Sequence, residues 1–106
     1  MKFLTISKTK DVFYALPQTE RNKIMLAAVK SLLAYKKKMG DKWHCYADPG
    51  SNEMITIGEY NSVEEYSQSL QQVTEIVGYM SHKSVPLIEW DVKEFEAYLK
   101  QMKAAK

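Results

Sequence analysis

The stretch "DKWHCYADPGSNEMITIGEY", residues 41–60, carries a turn signal with an alternating run on either side of it. Asp48-Pro49-Gly50-Ser51-Asn52 is dense in residues that favour tight turns, each for its own backbone or side-chain reason. Lys42 to Ala47 before it and Met54 to Tyr60 after it read as strands, so the stretch is a β-hairpin. The same twenty residues hold Trp43, His44, Tyr46 and Cys45, the only cysteine in the chain.

Working outward, Lys2 to Lys8 alternates Leu4 and Ile6 with Phe3, Thr5 and Ser7, the period of a strand. Residues 9–16 fit either a turn of helix or an irregular loop. From Pro17 a helix follows, with proline in a first turn where its missing N–H costs nothing. Ile24, Ala28, Leu32, Tyr35 and Met39 form one stripe, broadened by Met25, Val29 and Leu33. Lys36, Lys37 and Lys38 complement the negative helix end, and Gly40 stops it. Beyond the hairpin, Ser62 and Glu65 suit a helix cap. Tyr66, Leu70, Val73, Val77 and Met80 continue an apolar face that frays near Gly78. Ser84 to Trp90 reads as a fourth strand, at an edge because of Pro86. Asp91 with Glu94 caps a last helix bearing Val92, Phe95, Leu99 and Met102.

The order β-α-β-β-α-β plus a tail helix predicts an α+β, ferredoxin-like domain spanning residues 1–106: four antiparallel strands with both main helices on one face. With 106 residues there is room for one modest core. The alternation divides the hairpin into two sets. Cys45, Ala47, Ile55, Ile57 and Glu59 are expected against the helices beside Leu4 and Ile6, with Cys45 a small buried hydrophobe. His44, Tyr46, Met54, Thr56 and Tyr60 are expected on the open face beside Phe3, Thr5 and Ser7. That face is too apolar to stand bare, which points to a partner or a ligand.

Length, element order, the Gly40-Asp41-Lys42-Trp43-His44 lead into the second strand and the final Val85-Pro86-Leu87-Ile88-Glu89 resemble the dimeric α/β-barrel superfamily. The resemblance covers the chain from Lys2 to about Trp90. It includes muconolactone isomerase-like proteins, antibiotic-biosynthesis-type monooxygenases and chlorite-dismutase-like haem proteins, along with small proteins of no assigned activity. It implies a homodimer in which two open sheet faces close a barrel.

The functional expectation is binding of a small organic molecule, aromatic or lactone-like. For a catalyst, the chemistry expected is cofactor-independent isomerisation or oxygenation through proton transfer. His44 is the candidate acid or base because imidazole titrates near neutrality. Tyr46 is the candidate orienter, and Phe3, Thr5, Met54, Thr56 and Tyr60 are the candidate pocket wall. The alternative is a non-catalytic dimerisation or binding module, with a haem-binding protein ranked below both. Glu59 and Glu89 at strand ends read as solvated, His82 as an exposed loop residue, and Trp43 and Trp90 as packing anchors.

No cofactor or metal is expected: two histidines and one cysteine make no recognisable ligand set. A net charge of +2 is too weak to argue for nucleic acid. The third strand also lacks the basic and aromatic residues with which an RNA-recognition module stacks bases. One cysteine implies a reducing compartment, and no apolar run approaches a membrane-spanning length, so a cytoplasmic protein is expected.

Overall fold

The computed structural model describes residues 1–71 and 76–105. Four strands, β1 (Lys2–Thr9), β2 (Trp43–Asp48), β3 (Glu53–Glu59) and β4 (Met80–Leu87), form one antiparallel sheet in the order β2-β3-β1-β4. The helices are α1 (Asp11–Tyr14), α2 (Gln18–Met39), α3 (Val63–Ser69) and α4 (Val92–Ala104). The arrangement is α+β and compatible with a ferredoxin-like fold.

Local chemistry accounts for the boundaries. Gly40 ends α2 at φ 57°, a left-handed value that suits glycine. Lys36 Nζ reaches over this end to donate to Gly40 O at 2.9 Å. In the hairpin, Asp48 takes hydrogen bonds from Gly50 N at 2.9 Å and Ser51 Oγ at 2.8 Å, and Asn52 adopts φ 56°. Together these contacts hold Asp48 below the usual carboxylate pKa. Ser62 caps α3 by accepting from Glu65 N at 3.1 Å. Asp91 and Glu94 form a reciprocal capping box on α4. The ambiguous residues 9–16 contain α1, whose buried Phe13 meets Tyr79 edge-on at 5.7 Å.

Helix α3 is shorter than its apolar spacing suggests. It ends at Ser69, Val77–Tyr79 is a 3-10 turn, and Met80 already begins β4. Val73 of the expected stripe lies outside the described residues. The last strand therefore starts four residues early, at Met80, and stops at Leu87. Trp90 is not in the sheet but packs on Phe95 and Tyr98 of α4, at 5.3 and 5.5 Å between rings. Met25, Val29 and Leu33 of α2 are exposed, so the covered stripe of that helix is the narrower one through Ala28 and Tyr35.

The two faces of the sheet are the reverse of the expected ones. Asp48 pairs with Glu53 across a four-residue loop, so even-numbered residues of β2 oppose odd-numbered residues of β3. Tyr46 faces Ile55 and His44 faces Ile57. The expected grouping of His44 and Tyr46 with Met54 and Thr56 is one residue out of register, and such a slip exchanges faces. The helices cover Phe3, Thr5, Ser7, Trp43, Met54, Thr56 and Gly58. The opposite face carries Leu4, Ile6, Ile55, Ile57, Val85, His44 and Tyr46. No helix among the described residues covers those aliphatic side chains, which are only half-buried.

The core is an aromatic cluster of Phe3, Tyr35, Trp43, Tyr60 and Tyr66, with Leu32, Met39 and Leu70 at its margin. Phe3 and Tyr66 stack at 4.1 Å and 7°. Tyr35 meets Trp43 edge-on at 5.4 Å and 89°. Rings bury large areas and add specific pair geometry. Even so, no large side chain among the described residues is fully enclosed.

Candidate functional site

Between the helix-covered face of the sheet and α2 and α3 lies a cavity of about 70 Å³. Leu32, Trp43, Met54, Leu70, Ile76, Val77 and Met80 give it an apolar wall. Thr5, Ser7, Tyr35, Thr56, Tyr60, Ser69 and His82 supply polar groups. The volume is room for a few waters or a compact organic molecule.

Alternation places Thr5 and Ser7 on the side of β1 that faces the helices, where each is only 3% exposed. Thr56 joins them because it pairs with Thr5 across β1 and β3. Hydroxyl-bearing residues thus stand where a self-sufficient core would carry aliphatic ones. Buried hydroxyls need partners, and two short chains of hydrogen bonds supply them to Thr5 and Ser7. The Tyr66 hydroxyl lies 2.6 Å from Thr5 Oγ1 and 2.5 Å from Ser84 Oγ, and either member of each pair can donate. Ser7 Oγ lies 2.7 Å from His82 Nδ1.

Strand β4 sets the position of His82, pairing it with Ser7 directly across the ladder. As expected from the sequence, His82 is exposed to solvent. Partial burial, and secondarily the positive charge of Lys10, hold its pKa below the ordinary imidazole value. The ring is therefore neutral at pH 7, and its tautomer sets whether Ser7 Oγ donates to Nδ1 or accepts from it. Burial first, and the neighbouring Tyr60 hydroxyl second, raise the Tyr35 hydroxyl far above its usual range. Tyr35 enters the cavity as a neutral hydrogen-bonding group.

Of the residues singled out from the sequence, Thr5, Met54, Thr56 and Tyr60 line this cavity. Phe3 sits beside it, stacked on Tyr66. His44 and Tyr46 lie on the far side of the sheet, exposed on edge strand β2. They are not brought together with the other five. Cys45 is exposed rather than buried, because the helices reach only Trp43 along β2. Glu59 is exposed on the open face, 3.8 Å from Lys2 Nζ. His82, read from the sequence as a loop residue, is the histidine at the cavity. The Ser81-His82-Lys83-Ser84 run lacks the apolar alternation that announces a strand, and its pairing with β1 places it.

Among the described residues no cluster of histidine, cysteine and carboxylate groups is arranged to hold a metal ion. None of their helices is long and apolar enough to cross a membrane. No protein-family model matches the chain, and no curated protein matches it.

Proposed function

We propose that this chain binds a small, largely apolar organic molecule between its sheet and helices, and that two copies pair through their open sheet faces. One observation carries both halves: the sheet turns its hydroxyls inward and its aliphatic side chains outward. Thr5, Ser7 and Thr56 at the cavity offer hydrogen bonds to a ligand that aliphatic residues could not offer. Leu4, Ile6, Ile55, Ile57 and Val85 on the far face form an apolar surface that a second copy would cover. Such pairing is the architecture of the dimeric α/β barrels, the superfamily the sequence resembles.

The ligand class that fits is aromatic or lactone-like, with one or two polar atoms to meet Thr56, Tyr35 or Ser7. If the bound molecule is transformed, cofactor-independent proton transfer suits the residues present. His82 is the acid–base group at the cavity, oriented by its hydrogen bond with Ser7. His44 and Tyr46 would then lie at the interface between paired sheets, where they can orient a second copy or a molecule held between the sheets. A non-catalytic binding module needs only the cavity and the interface, without proton transfer at His82.

The test is a titration of isotope-labelled protein with a fragment set of phenols, aromatic acids and small lactones. The expected result is saturable shifts at Thr5, Thr56, Met54, Leu70 and His82, lost in Thr56→Val. Fragments that move none of these signals remove the ligand reading.

A further inference from the structure

Helix α4 is the part of the molecule that its own fold leaves unused. The segment from Ile88 through Ala105 is exposed throughout, and the molecule extends 62 Å along one axis against 29 and 23 Å along the others. Yet α4 is strongly amphipathic. Val92, Phe95, Leu99 and Met102 recur at spacings of three and four and make one seam. They are 70, 60, 54 and 53% exposed. Tyr98 and the Trp90 ring widen the seam, with Trp90 folded against Phe95 and Tyr98. A helix of thirteen residues is marginal in water on its own, even with a good cap. Its stability requires that the seam be covered.

We propose that α4 pairs antiparallel with α4 of a second copy of this chain. The charges select that occupant and that direction. The first half of the arm is acidic through Asp91, Glu94 and Glu96, against one base, Lys93. The second half is basic through Lys100 and Lys103. Laid antiparallel on itself, each acidic half meets a basic half. A parallel pair would set like against like. An antiparallel pair of identical helices is two-fold symmetric and closes on itself. The apolar residues of one arm expose surface on the order of 700 Å², near the roughly 800 Å² that one partner gives to a standard stable interface. This contact is separate from the sheet pairing and does not depend on the ligand cavity.

The experiment uses the full chain in two charge variants. Glu94→Gln with Glu96→Lys makes the first half basic while keeping an N3 side chain able to complete the capping box. Lys100→Glu with Lys103→Glu makes the second half acidic. All four positions are exposed, so the fold is kept, and circular dichroism confirms it. Each variant alone is expected to weaken α4 pairing by roughly tenfold or more. Mixed together, the two are expected to associate roughly tenfold or more tightly than either variant alone, read by native mass spectrometry over a concentration series. A mixture that associates no more than each variant alone overturns the proposal, because association would then ignore the arms. So does a monomeric wild-type chain, including one whose α4 binds phosphatidylglycerol vesicles, an outcome that would assign the seam to a membrane surface.

Discussion

Ser7 Oγ and His82 Nδ1 lie 2.7 Å apart, joining the central strand β1 to the edge strand β4 at the rim of the cavity. The serine hydroxyl can donate to or accept from a neutral imidazole according to its tautomer. With imidazolium both ring nitrogens are donors, and Ser7 can only accept.

Stability should therefore depend on pH through this residue. In the unfolded chain His82 titrates near about 6.5, and in the fold its pKa is lower. Between those values the unfolded chain holds the extra proton. The contribution of His82 is complete above the unfolded value and is lost as pH falls toward the folded one. Urea unfolding of wild type and His82→Asn between about pH 7.5 and 5.5 should show the steeper loss in wild type. Equal slopes would place His82 in a solvent-like environment.

The hydroxyls of Thr5, Tyr66 and Ser84 act as a unit. Removing Thr5 Oγ1 by Thr5→Val leaves the Tyr66 hydroxyl bonded to Ser84, so the cost should be near 1 kcal/mol. Ser84→Ala should cost about the same. The double variant strands a buried phenol and should exceed the sum by roughly 1 kcal/mol or more. Equilibrium unfolding of the four proteins in a double-mutant cycle measures this coupling, and strict additivity would show that the hydroxyls do not share a network.

Tyr60 lies over Gly58. A Cβ built on Gly58 would come within 2.7 Å of the Tyr60 hydroxyl oxygen and 2.9 Å of ring carbon Cζ. Gly58 pairs with Phe3 on one side and Trp43 on the other, so its missing side chain opens the slot that the Tyr60 ring fills between them. Gly58→Ala should lose about 1–3 kcal/mol by overpacking, despite the better strand propensity of alanine. It should also change near-UV circular dichroism as Tyr60 is displaced. Wild-type stability and an unchanged aromatic spectrum would contradict the packing described.

How much of this was legible in the sequence varies by level. Element order followed from turn chemistry, apolar spacing and caps: Pro17, Gly40, the Asp48–Asn52 turn, Ser62 with Glu65, and Asp91 with Glu94 all act locally. Which face of the sheet meets the helices did not follow. Both alternating sets contain apolar residues, and an aliphatic set is ordinarily taken as the core. Here rings do that work, with Phe3, Trp43 and Tyr60 filling space between hydroxyls. The register of β2 on β3 turned on whether the loop held an even or an odd number of residues, a one-residue matter that exchanged His44 and Tyr46 for Trp43 and Cys45. His82 reads as a loop residue, although it lies in a strand, because that strand is polar and is placed by pairing with β1.

The arrangement also assigns different effects to the two histidines. His44→Ala should leave fragment binding at the cavity within about twofold of wild type, because the sheet separates the residue from the ligand wall. His82→Ala should weaken binding of a ligand carrying a hydrogen-bonding group by roughly tenfold, the effect of one lost bond in a partly buried site. Calorimetric titration of both variants with a fragment that binds wild type checks the contrast. The reverse order of effects would move the site to the open face.

The reversal of the sheet faces is tested most directly by isotope-filtered NOE spectroscopy on an equal mixture of labelled and unlabelled protein. The expected result is contacts between protomers at the methyl groups of Leu4, Ile6, Ile55, Ile57 and Val85, and none at Thr5 or Thr56. Aliphatic methyls that show no contact between protomers, and that a soluble paramagnetic agent relaxes as freely as surface groups, would contradict the pairing of the open faces.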